Sequence, residues 1–252
     1  ADYSSVSYDF NKVRPYSILS PYFNKKVSRK KYAPILKYLR PSYIKLHQYI
    51  LKHCNGVLAS DLDYHLPLQT NPKYLGLHPN PINTYLFKVE PFNDFTPIII
   101  FHGINRSNYF KKGSDFFEAA LKIIAARYPD KVKVVQVEDV PYAKYITLYK
   151  DAHILLDQVF AYDQGYNALE AMAQGKVVFT GADSLFYKHY NLTHKIAINA
   201  LPDIKTLVAE LDFLIQNPNT IKTIGKHARD FVLKHHDHEK VAAQYLASWQ
   251  AN

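Results

Sequence analysis

Residues 163–181 read DQGYNALEAMAQGKVVFTG: an Asp-Gln-Gly turn, a short helical stretch from Asn167 to Ala173, a stop at Gly175 and an apolar run from Lys176 to Thr180. Gly165 permits close backbone approach. The N–H groups of Tyr166, Asn167 and Ala168 open the helix, where unpaired donors and the helix dipole favour an anion. Glu170, expected in the first helical turn, has two readings. It complements the dipole, or it accepts hydrogen bonds from the neighbouring hydroxyls of a ribose diol. An anion site beside a diol-binding carboxylate describes a sugar nucleotide.

Two further loops could share that chemistry. HGINRSNYFKKG (residues 102–113) puts Arg106, Lys111 and Lys112 within a few residues after an apolar run. Arginine offers a planar fork and lysine a point charge, so the pair suits a diphosphate, and a solvated basic turn is the competing reading. In QVEDVPYAKY, Pro141 and Tyr142 shape either a wall for a flat base or an ordinary turn. His102, at the end of the apolar run, reads as a packed residue rather than a base. HHDHE (residues 235–239) holds metal-ligand types, but adjacent ligands do not converge on one ion, so no metal is expected. No residue stands out as a catalytic base.

The elements that must position these loops follow from periodicity. PIIIFHG, KVKVVQV, HILLDQV, KVVFT and KIAIN read as strands, the first as one buried on both faces. Helical stripes alternate with them, among them one with Asp115 as N-cap and Glu118 three residues on, and DIKTLVAELDFLIQN. This alternation predicts an α/β fold with a doubly wound parallel sheet, where ligands bind beyond the carboxyl ends of the strands. GVLAS is a further short strand. The prolines of LGLHPNPINTYLF point to a linker. The expected division is 1–95 for a partial N-terminal domain and hinge, 96–230 for the Rossmann-like domain, and 231–252 for a closing helix.

The chain has 252 residues, 48% of them hydrophobic, enough for a sizeable core. Its single cysteine, Cys54, excludes a disulfide framework and suits a reducing compartment. The net charge of +9 is uneven: residues 1–50 hold ten Lys and Arg against Asp2 and Asp9. That segment is a solvated face, a nucleic-acid surface or a patch for anionic lipid headgroups, and the lipid reading of residues 24–40 is favoured.

YDQGYNALEAMAQGKVVFTG resembles the donor-site motif of family-4-type glycosyltransferases of the two-domain GT-B fold. HGINRSNYFKKGSDFFEAAL is similar to that family's diphosphate loop, HPNPIN to its interdomain turn, and the closing HARDFVLKHHDHEKVAAQYL to its returning helix. The resemblance implies transfer of a hexose from a nucleoside-diphosphate sugar to a hydroxyl acceptor (a glycan, a lipid-linked glycan or a lipid). It implies retention, polysaccharide biosynthesis, no cofactor or metal, and a cytoplasmic, membrane-peripheral location. It assigns Gly103, Arg106 and Lys112 to the diphosphate, Glu170 to the ribose, and Gly165, Tyr166 and Asn167 to sugar and phosphate. Tyr142 is placed as the base wall. The family's first glutamate is replaced by Tyr162, with Asp163 adjacent as a substitute contact to the sugar. Only residues 1–77 precede HPNPIN, and the opening ADYSSVSYDF lacks Met, so the chain is expected to begin partway through a longer protein. Competing classes are a non-catalytic sugar-nucleotide binder, an epimerase of the same fold and a basic nucleic-acid or membrane adaptor.

Overall fold

Apolar runs and helical stripes alternate along the chain, and strands and helices alternate with them. The computed structural model describes residues 2–89 and 95–251; residues 90–94, beside the expected 95/96 boundary, lie outside the described residues. Two compact units emerge, Ala1–Pro81 with Glu239–Asn252, and Ile82–His238.

The first unit opens with α1 (Tyr3–Phe10), whose Asp2 cap accepts from the Ser5 N–H at 2.8 Å. Then come α2 (Ser20–Phe23), α3 (Arg29–Leu36) and α4 (Pro41–His53). Proline at the first position of α4 has the φ a helix start needs. A small βαβ unit follows: β1 (Val57–Ala59), α5 (Leu62–Leu68) and β2 (Tyr74–Leu77), with the strands parallel and Val57 opposite Tyr74. β2 corrects the linker reading of LGL, because pairing with β1 satisfies backbone that two nearby prolines had made look irregular.

The second unit holds β3 (Ile98–Ile104), α6 (Tyr109–Lys112), α7 (Ser114–Arg127), β4 (Val132–Glu138), α8 (Tyr142–Leu148) and β5 (Ile154–Leu156). It continues through α9 (Tyr166–Ala173), β6 (Val177–Thr180), α10 (Ser184–His189), β7 (Ile198–Asn199), α11 (Ile204–Gln216) and α12 (Pro218–His235). All five strands are parallel, in the order β4-β3-β5-β6-β7. Ile100, Phe101, Ile154, Leu155, Val177, Val178 and Phe179 are fully buried, each worth about 1.5–3 kcal/mol of burial. The order reverses at β3, with β4 on one side and β5 on the other, so the crevice at the carboxyl ends of β3 and β5 is the topological switch point.

The chain closes with α13 (His238–Ala251). Its Ser248 meets His78 Nε2 at 2.7 Å and its Tyr245 hydroxyl donates to the His78 carbonyl, ties made inside the first unit. No helix among the described residues is long and apolar enough to cross a membrane.

The expected cap of α7 is also corrected. The N-cap is Gly113, which ends α6 and begins α7 at φ 73°, a left-handed conformation that suits glycine. Asp115 sits inside the first turn, and Glu118 accepts from the Tyr109 hydroxyl rather than closing a capping box.

Candidate functional site

Parallel pairing of β3 with β5 ends at His102 opposite Leu156, so the next residues, Gly103 and Asp157, lie side by side at the carboxyl end of that pair. Asp157 is buried and its Oδ1 accepts twice, from Lys112 Nζ at 2.8 Å and from Asn167 Nδ2 at 2.9 Å. One carboxylate thereby joins the end of α6, the end of β5 and the start of α9. A cleft of ≈ 230 Å³ opens there, lined by Gly103, Asn105, Lys112, Asp139, Tyr142 and Asn167 among others. A Cβ on Gly103 would lie 2.2 Å from the Tyr145 ring, so the cleft floor has no room for a side chain at that position.

Glu170 stands in the wall of α9. Because the helix starts at Tyr166, Glu170 is its fifth residue, not part of the first turn as expected, which weakens the dipole reading. The Tyr142 hydroxyl donates to Glu170 Oε1 at 2.7 Å. Burial raises the Glu170 carboxyl above the usual glutamate range, and the Tyr142 bond lowers it in part. Tyr142 itself is pushed up to about 12, by burial first and by Glu170 second.

The remaining expected residues fall as follows. Gly165 caps α9 in ordinary extended backbone, and a Cβ there would meet nothing within 4 Å, so open space rather than backbone strain distinguishes it. Tyr166 is exposed at the helix start. Asp163 is buried and accepts from the Gln164 N–H, which turns its carboxylate toward the loop's own backbone. Tyr162 is buried at 3% exposure. Arg106, in a single 3-10 turn, does not line the cleft. Its guanidinium pairs with Glu138, its N–H donates to Asp139 at 3.0 Å, and the Tyr109 ring lies 4.9 Å away. Arg106 holds the exposed Glu138 carboxyl below its usual range.

His102 is fully buried, donating from Nδ1 to the Leu156 carbonyl at 3.1 Å, and burial lowers its pKa. It is a neutral packed ring. In HHDHE, Asp237 accepts from Thr84 at 2.7 Å, and His235 and His236 pack on Tyr190 and Phe231. Among the described residues no three His, Cys, Asp or Glu side chains gather as a metal site.

Two residues escaped the sequence reading. Asp157 follows an apolar strand in HILLDQV, and an acid at the carboxyl end of a buried strand was the available signal. Arg229 of α12 donates to the Ala173 carbonyl at 2.5 Å and to the Phe87 carbonyl, tying the far end of α9. No sequence signal marked it.

A parallel α/β sheet carries a glycine, a lysine, a helix start and a carboxylate about its switch point, the place where open α/β sheets take ligands. The chain belongs to the glycosyl transferase-like family, whose model matches residues 106–247, more than half of it. No curated protein sequence matches it significantly. Among solved structures it is similar to Anabaena HepE in complex with UDP and glucose (TM-score 0.62, 14% identity, 84% of this chain and 67% of that one). It is also similar to a sucrose-phosphate synthase from Thermosynechococcus elongatus (0.61, 18%, 84% and 62%). A third is S. aureus TarM in complex with Fondaparinux, alpha-GlcNAc-glycerol and UDP (0.58, 14%, 81% and 46%). At these identities the likeness is one of fold, the GT-B glycosyltransferase fold. The chain spans between about half and two thirds of the length of these proteins.

Proposed function

We propose that the chain carries the donor-binding half of a glycosyltransferase that moves a hexose from a nucleoside-diphosphate sugar to a hydroxyl acceptor, with retention. The observation that carries the reading is the cleft at the switch point, where Gly103, Lys112, Tyr142 and Asn167 converge and Tyr142 reaches Glu170. Gly103 and the start of α9 give the diphosphate bare backbone, and Lys112 gives it positive charge, to which Arg106 adds once it exchanges Glu138 for the ligand. Glu170 takes the ribose diol, displacing the Tyr142 hydroxyl, whose ring then walls the base. Asp163, Gly165, Tyr166 and Asn167 border the sugar. As the bond from the anomeric carbon to the diphosphate breaks, negative charge develops on the leaving group. The cations and oriented N–H groups stabilise it, so the reading needs no metal. We assign the reaction to glycan or polysaccharide assembly on the cytoplasmic side of a membrane, with residues 24–40 facing anionic lipid.

Melting temperature with UDP, GDP, ADP or UMP tests the site. UDP, which HepE holds, is the first probe. At about a hundred times Kd, a ligand of the folded state adds about 2.7 kcal/mol, or roughly 5–10 °C for a chain of this size. Glu170→Ala weakens binding by about 1–3 kcal/mol, the scale of a lost hydrogen bond to a charge. Tyr142→Phe keeps the ring, frees Glu170 and leaves affinity equal or higher. A full-sized shift in Glu170→Ala removes that residue from the site.

The pH dependence follows from burial. The diol requires ionised Glu170, so affinity is constant above its raised pKa and falls as pH drops through it, at higher pH than an ordinary glutamate gives. Tyr142→Phe loses the bond that favours the ionised form and moves the fall higher still. UDP titrations across the acidic range check this; a fall no higher in Tyr142→Phe than in the wild type contradicts it.

One observation favours a second reading, a binder without turnover. Where the resembled family has a glutamate, a buried phenol stands at Tyr162. Hydrolysis of UDP-glucose above the buffer rate argues against that reading.

A further inference from the structure

The first unit contains a pocket of its own, ≈ 720 Å³, inside the range of small-molecule sites. Its walls come from the end of α1, from α2, from α3, from the turn after α3 and from the start of α4. Phe10, Leu36 and Leu39 contribute apolar surface, and Arg29, Lys30 and Arg40 contribute charge. Phe10 is 45% exposed, a high value for a phenylalanine against a cavity. No acid lines the pocket, and none of the three cations is paired with one among the described residues. Residues 1–50 contain only two acids, and the one beside Phe10, Asp9, is buried with its pKa pushed up to about 7. Apolar walls under three unneutralised cations match an amphiphile with an apolar chain and an anionic head. They do not match a sugar, which would call for polar walls, or a nucleic acid, which would call for an open cationic track.

We propose that this pocket binds a single anionic lipid, its chain against Phe10, Leu36 and Leu39 and its phosphate at Arg29, Lys30 and Arg40. The proposal deepens the membrane part of the function above and rests on that part alone. It turns a basic surface into a defined site: an arginine fork can hold phosphate oxygens in pairs, and a chain drawn from the bilayer fills the cavity below.

The experiment is calorimetric titration of the full chain with dodecyl phosphate below its critical micelle concentration. Dodecyl maltoside (the same chain, uncharged head) and inorganic phosphate (the head without a chain) are compared with it. Saturable binding of dodecyl phosphate is expected, with both comparators weaker by about tenfold or more, the scale of a lost charge-assisted contact. The triple variant Arg29→Gln, Lys30→Gln, Arg40→Gln changes exposed side chains only. It is expected to lose about tenfold in dodecyl phosphate affinity with its melting temperature and UDP response unchanged. Maltoside or inorganic phosphate binding as tightly as dodecyl phosphate overturns the proposal, as does an unaffected triple variant. Binding to phosphatidylserine vesicles without binding of the soluble amphiphile also overturns the pocket, while leaving surface attachment standing. Dodecyl phosphate binding in a protein that shows no UDP response supports the pocket and defeats only the nucleotide reading.

Discussion

Asp157→Ala is expected to lower the stability of the second unit by about 2–4 kcal/mol and to remove the melting shift with UDP. The carboxylate is buried and holds an ammonium and an amide at 2.8 and 2.9 Å, and truncation leaves both without their acceptor. Breaking a buried pair costs about 3–5 kcal/mol, reduced here because Lys112 keeps 29% exposure and water can reach it. The loss of binding follows from position. Without Asp157, Lys112 is not held at the cleft and Asn167 is not fixed at the start of α9. Asp157→Asn separates charge from hydrogen bonding, since the amide oxygen still accepts at a lower energy. It is expected to fall between wild type and Asp157→Ala in both measurements. Urea unfolding monitored alongside UDP titration reads both; an alanine variant with wild-type stability and wild-type UDP response would falsify the assignment.

Gly225→Ala sets two effects of opposite sign against each other. Alanine in a helix interior is favoured over glycine by about 1 kcal/mol, so propensity alone predicts stabilisation. Gly225, however, faces the turn that ends α9, and a Cβ there would lie 2.0 Å from the Gly175 carbonyl oxygen, a backbone atom that cannot rotate aside. Overpacking against fixed neighbours costs about 1–3 kcal/mol and sometimes more. We expect the contact to win and the variant to lose about 2 kcal/mol net, with α12 displaced from α9. Arg229, one turn further along α12, would then lose its bond to the Ala173 carbonyl, and UDP affinity would fall with stability. Chemical denaturation decides the sign: a more stable Gly225→Ala would mean that propensity outweighs the close approach.

How much was legible in the sequence depends on how local each feature is. The strand at Ile98–Ile104 and the helix at Ile204–Gln216 were readable because a buried parallel strand is continuously apolar and an amphipathic helix repeats every 3.6 residues. The cleft's position followed from the strand-helix alternation. Other features depend on which strands are neighbours. Arg106 and Glu138 are 32 residues apart and meet because β3 and β4 pair with Ile104 opposite Glu138. Asp157 meets Lys112 because β5 lies beside β3. Neither pair has a spacing rule. The capping box at Asp115 failed for a local reason of another kind: Gly113 turned the chain two residues earlier, and Tyr109 took Glu118. Tyr74–Leu77 was obscured by prolines at 79 and 81, which mark irregular backbone after the strand, not within it.

The first unit is assembled from two separate lengths of chain, with the whole of the second unit between them. On the ribosome this imposes an order. At about 5–20 residues per second, roughly 10–30 s pass between the emergence of Leu77 and that of His238. The parallel sheet of the second unit can close within that interval. His78, whose ring waits for Ser248 and whose carbonyl waits for Tyr245, cannot. The earlier length of the first unit is thus made before the second unit and completed after it, when α13 brings Ser248 and Tyr245 to His78.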